Sequence, residues 1–323
     1  MSSPRVYGGY QWGEPPNGKS CFPVNRVGEE LEITAAMPAY LFPDSPCDLV
    51  RQYEIAHKNR SIGKQRTGKD SPHIRFANAN SDNELIDFVR YFGPVVAHSW
   101  KMLPFVPPSS AVSAKDTSIL MSARQNLQEL RIERQIYKAA LGLVMELAKN
   151  APEFNIDSAK ERMAEIALGV QKWPRQWKRE KEERDHNPLW RVRVDSMQRI
   201  AAFAKPGPDP LLPTQVDARI VICELLNMFP SLVFPNPLEM HSHIRFGIRP
   251  LLYSLVRREF LQPRGVNICA NTQCRAFFEP ERAGLRFCDD VCSRQQRQRD
   301  NWQTRGKEAR RERLAAAIKR RNI

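Results

Sequence analysis

Hydrophobic positions along this chain recur mostly at steps of three and four residues, the period of helices that bury one face. Leu85, Ile86, Phe88, Val89 and Phe92 follow Ser81 and Asp82, either of which can cap a helix, and Gly93-Pro94 supplies the stop. Residues 116–150 carry Leu120, Ala123, Leu127, Leu130, Tyr137, Leu141, Val144 and Ala148, and this spacing predicts one long helix whose seam packs within the chain. Further helices are predicted over 157–170, over 249–261, and from the capping sequence Thr214-Gln-Val-Asp217 through Ile220, Cys223, Leu226 and Asn227. Residues 189–203 fit helix or strand. Proline-rich connections separate these segments, so the body reads as mainly α with short strands.

The first 75 residues are different. Proline and glycine turns interrupt them, residues 31–36 alternate as a short strand, and 47–57 fit a helix. The basic loop over 58–70 contains the spacing of a phosphate-binding loop, Gly63, Gly68 and Lys69. However, Asp70 stands where a magnesium-binding Ser or Thr belongs, and no apolar strand leads into it. Residues 178–185 are a charge run of balanced sign and read as a solvated helical face.

Four of the seven cysteines lie close together, as Cys269-Ala-Asn-Thr-Gln-Cys274 and Cys288-Asp-Asp-Val-Cys292. Thiolates need a soft metal or another thiol as partner. Two close pairs around a hairpin-sized insert meet the requirement of a tetrahedral four-thiolate zinc site. The chain begins without a secretory leader pattern and has no apolar run long enough to span a bilayer. The expected setting is therefore cytoplasmic and reducing, which favours a metal over disulfides. With all four positions filled by sulfur, one structural Zn2+ is the expected cofactor. Residues 275–279 and 285–287 read as two short strands around the turn 280–284. Asp289 or Asp290 can cap a helix that carries Cys292. The layout of knuckle, hairpin and helix is that of a treble clef. Cys21, Cys47 and Cys223 have no cysteine neighbours and read as free thiols.

On these residues the chain resembles the bacterial CGNR-type zinc fingers and related treble clefs. The resemblance is carried by Cys269-x4-Cys274, the Phe277-Phe278 pair, Arg286-Phe287-Cys288-x3-Cys292 and the Arg/Gln-rich run beyond. Ser293-Arg294-Gln295 stands where the naming motif has Gly-Asn-Arg. The resemblance implies a helical N-terminal region of the ABATE type and a role in transcription regulation, and it does not imply an enzymatic activity.

The net charge of +14 changes the picture further, because it is uneven. Residues 293–323 hold eleven Lys and Arg against three acids, which points to a polyanionic partner. Arg294, Arg297, Arg299, Arg305, Arg310, Arg311 and Arg313 are the candidate nucleic-acid contacts on a basic helix, with DNA the expected partner rather than RNA. The alternative is a protein-interaction module with a purely structural finger, its partner or a second copy docking on the helical body. The expected organisation is a helical body over 1–262, a zinc finger over 263–305, and a basic helix or tail over 306–323. His241 and His243 lack a third ligand and read as loop histidines. No nucleophile motif is present, so catalysis is not expected.

Overall fold

In the computed structural model the described residues are 5–7, 10–12, 24–38, 72–95, 100–102, 118–149, 151–173, 188–203, 215–228, 249–262, 265–280, 284–306 and 309–313. The chain divides into two units, Met1–Gln65 with Arg75–Arg264, and Arg66–Ile74 with Gly265–Ile323. Among the described residues the protein is mainly helical with short strands.

In the larger unit a small hairpin, β1 (Arg5–Tyr7) with β2 (Tyr10–Trp12), precedes a four-stranded antiparallel sheet. The sheet runs β3 (Val24–Val27), β4 (Glu30–Pro38), β6 (Ser118–Asn126) and β5 (Trp100–Met102) in spatial order. The strand expected over 31–36 is therefore present and longer. On its buried face Leu31 stands opposite Gln125 and Ile33 opposite Ala123. On its open face the Arg124 guanidinium lies 3.0 Å from Glu32.

Strand β6 corrects the long helix expected over 116–150. Ala123 and Gln125 are buried and Arg124 is exposed, the period of a strand, and nine residues pair in register with β4. The helix starts only at α3 (Leu127–Leu147), where the Asn126 side chain accepts from the Gln128 and Glu129 amides. Leu120 and Ala123 thus belong to the sheet, although their spacing to Leu127 also fits a helix.

Helix α3 is the spine of this unit. It packs against α2 (Asp82–Phe92), α4 (Ile156–Lys172), α6 (Gln215–Asn227) and α7 (Arg249–Leu261), while α5 (Pro188–Ala202) lies against α4 and α6. The ambiguous stretch 189–203 is helical. Where α3 and α4 cross, a Cβ on Gly169 would overlap the Ile136 side chain, so the close approach needs glycine. Rings of Phe92, Phe88, Phe76 and Tyr137 follow one another to Tyr253 at centroid separations of 4.8 to 5.6 Å, Phe76 lying on the short helix α1 (Pro72–Asn78). Next to this row, Arg249 meets Glu133 at 2.7 Å with both side chains almost wholly buried, and its guanidinium lies over the Trp173 ring. Burial pushes the Glu133 carboxyl up, against the pull of Arg249 and Tyr253. A buried charge that loses its partner costs about 3–5 kcal/mol. Arg249→Met should cost about that much in denaturant unfolding, and adding Glu133→Gln should recover part of it.

The expected helix after Ser81 is present as α2, closed by Gly93 at φ +90°. Ser81 Oγ accepts from the Glu84 amide at 3.3 Å, while Glu84 accepts from the Asn80 and Ser81 amides at 2.6 and 3.0 Å. The Asn80 N–H is the largest influence holding the Glu84 carboxyl below its usual 4.5. A lowered folded value means that this stability is complete above pH 4.5 and is lost as pH falls through the folded value. Ser81→Ala should cost about 1 kcal/mol at neutral pH. Glu84→Gln should flatten the loss of stability below pH 4.5 in acid titrations followed by circular dichroism.

No described helix is long and apolar enough to cross a membrane. The segments expected as a helix over 47–57 and as a basic loop over 58–70, together with Thr214, the run 178–185, Cys21, Cys47, His241 and His243, lie outside the described residues.

Candidate metal centre

The smaller unit contains the four clustered cysteines. Strand β7 (Asn267–Ile268) runs into Cys269, the chain turns at Asn271, and Cys274 follows. The turn is closed by the Cys274 and Arg275 amides donating to the Asn271 carbonyl at 3.0 and 3.1 Å, and by Cys269 N donating to Ala276 O at 2.8 Å. Arg275 leaves it with φ +49°, a left-handed conformation seldom adopted by a residue with a side chain. Strand β8 (Phe277–Phe278) then returns alongside β7.

This pairing corrects the expected hairpin. Phe277 and Phe278 pair with Ile268 and Asn267, while residues 285–287 form no strand. Residues 285–287 are held beside the knuckle instead, through Ala270 N to Arg286 O at 2.8 Å and Asn267 Nδ2 to Leu285 O at 3.2 Å. Phe278, Leu285 and Phe287 pack around the cysteines as the small core.

Cys288 stands immediately before the cap of α8 (Asp290–Asn301). Asp289 Oδ1 accepts from the Cys292 amide at 2.7 Å, so the capping expected of these aspartates is made by the first of them and places Cys292 in the first turn. The four sulfurs lie within 4.8 Å of one another, with Cys274 to Cys288 at 3.7 Å and Cys288 to Cys292 at 3.5 Å. A tetrahedral ion bound to four sulfurs at about 2.3 Å sets them about 3.8 Å apart. The donor set and its spacing therefore fit one four-coordinate metal ion. Among the described residues no second cluster of this kind occurs.

Without an ion the surroundings act in opposite directions on the two buried cysteines. Burial pushes the Cys292 thiol up to about 11. Burial also acts to raise Cys269, but amides of Cys288 and Asn271 donate to its sulfur and leave it below its usual value. A metal must displace protons from the site, so occupancy is coupled to pH and to folding.

One residue escaped the reading from sequence. Asn271 is buried, and its side chain ties the knuckle to α8: Oδ1 accepts from Gln273 N and from Arg299, and Nδ2 donates to Gln295 Oε1 at 3.2 Å and to Cys292 O at 3.4 Å. Gln296 Oε1 adds a contact to the Thr272 amide at 3.2 Å. An asparagine in a turn is common enough that its sequence position gives no sign of this role.

The arginines separate accordingly. Arg294 and Arg297 are exposed on α8, whereas Arg299 turns inward to Asn271. Arg310, Arg311 and Arg313 are exposed on the helical residues 309–313, and the side chain of Arg305 lies outside the described residues. Cys223 is exposed on α6 and takes no part in the cluster.

No family model, curated protein or solved structure matches this chain. The resemblance to CGNR-type fingers therefore rests on the cysteine motif, and what stands is a four-cysteine group able to hold a metal.

Cys292→Ser should remove close to one equivalent of metal per chain, measured by elemental analysis of purified protein. Cys223→Ser should leave the metal content unchanged.

Proposed function

We propose that this protein is a zinc-dependent DNA-binding regulator of transcription, nucleoid-associated in the cytoplasm, with the smaller unit as its DNA-binding part. The observation that carries the reading is the thiolate cluster with α8 locked to it: an otherwise small module gains a fixed, exposed helix that continues into a strongly basic segment. Zinc is the ion, because four thiolates at tetrahedral spacing suit it and leave no open position for water, which makes the site structural. The helical unit serves as the sensing or interaction body. Exposed Val216 and Ile220, one turn apart on α6, support the companion reading of a protein-docking surface there.

Counterion release makes such binding salt-dependent, the affinity falling by several orders of magnitude between 50 and 200 mM salt for about 6–10 phosphate contacts. Mobility-shift titration of metal-loaded protein on duplex DNA should therefore show tight binding at low salt and a steep loss as salt rises. Absence of binding at low salt contradicts the proposal.

A further inference from the structure

We infer that α8 and the chain beyond it divide the work of holding duplex DNA. The outward face of α8 reads base edges in the major groove, and the basic segment after Trp302 supplies the phosphate contacts. This rests on the nucleic-acid reading above and adds which residues give selectivity and which give affinity.

Charge is the first observation. Asp289, Asp290 and Asp300 match Arg294, Arg297 and Arg299, so residues 289–301 carry no formal net charge. From 302 to 323 there are eight Lys and Arg against two Glu. Phosphate affinity scales with the cations placed on the backbone. It therefore belongs to the later segment and not to α8.

The second observation is how α8 spends its polar side chains. Gln295, Gln296 and Arg299 face the knuckle and are bonded to Asn271 and Thr272. On the opposite side, three and four residues apart, Val291, Arg294, Gln298 and Asn301 are exposed, with Arg297 alongside. The side-chain amides of Gln298 and Asn301 bond to no described residue. Among the described residues Arg294 and Arg297 reach Asp290 O at 3.4 Å and Ser293 Oγ at 2.9 Å, both within their own helix. Amides gain little from phosphate compared with guanidinium groups, but Asn and Gln match adenine N6 and N7, Arg matches guanine O6 and N7, and an apolar side chain fits the thymine methyl. A helix about 10–12 Å wide enters a groove about 12 Å wide. From Val291 to Asn301 the face spans about 15 Å, the length of about four base pairs. The thiolate cluster and Asn271 hold this face rigid, as selective contacts require.

The test selects bound sequences from duplexes with a randomised core, using metal-loaded full-length chain, the double variant Gln298→Ala with Asn301→Ala, and a chain ending at Gly306. Metal content confirms that each variant keeps its site. The full chain should enrich a motif of about four base pairs. The double variant should lose selectivity at one or two of those positions and bind the enriched sequence roughly tenfold more weakly. Its affinity for scrambled duplex and its salt slope should not change. The chain ending at Gly306 should keep the motif but weaken on every duplex, its salt slope reduced by about 0.9 for each phosphate contact removed. Tight duplex binding with no enriched motif, or a double variant that behaves as the full chain or weakens equally on all sequences, overturns the inference while leaving DNA binding intact. Preference for single strands, which exposed Trp302 would serve by stacking, also overturns it. Failure to bind any nucleic acid overturns this inference and the proposed function together.

Discussion

Four sulfur atoms gathered within tetrahedral reach of one another are the constraint on which the smaller unit depends. Among the described residues its apolar core is Phe278, Leu285 and Phe287 around the cysteines with Phe277 buried beside them, small for a module that must fold by burial alone. An ion shared by the four thiolates would change that, because its binding free energy becomes folding free energy. Two of the four ligands flank the cap of α8. A metal bound there would therefore fix the start and direction of that helix as well as close the knuckle. Asn271 adds a second tie between knuckle and helix, made of ordinary hydrogen bonds, and it engages Gln295 and Arg299 in doing so. What α8 presents outward is then the remainder of its sequence.

The larger unit is stabilised in the usual way, by burial around one long helix. Its less common feature is the Glu133–Arg249 pair beside a row of aromatic rings. Replacing such a pair by apolar residues is often neutral, whereas breaking it is costly, so its presence is no measure of net stability. Among the described residues of this unit no further cluster of metal-ligating side chains occurs.

Where a structural feature has a local cause, it was legible in the sequence. Ser81, Glu84 and Gly93 start and stop α2 by bonds that span four residues or fewer, and the helix lies where they put it. The cysteine cluster was legible because cysteine chemistry narrows the choices, and the Asp289 cap because it is again local. Several features set by distant partners were not. Residues 118–126 satisfy the helical period through Leu120, Ala123 and Leu127, and only pairing with Glu30–Pro38, some ninety residues away, makes them a strand. Likewise Phe277 and Phe278 pair upstream with β7 rather than with 285–287. Among the arginines the pattern showed a basic helix, but it could not show that Arg299 turns inward to a buried asparagine. That asparagine makes the difference between charge spread around a helix and a helix with a free outward face.

The proposal that four thiolates around one zinc ion organise the smaller unit is tested by zinc K-edge X-ray absorption on purified full-length protein. The account predicts a first shell of four sulfur atoms at about 2.3 Å and nothing lighter. A shell containing nitrogen or oxygen, or protein that folds fully with no bound zinc, would contradict it.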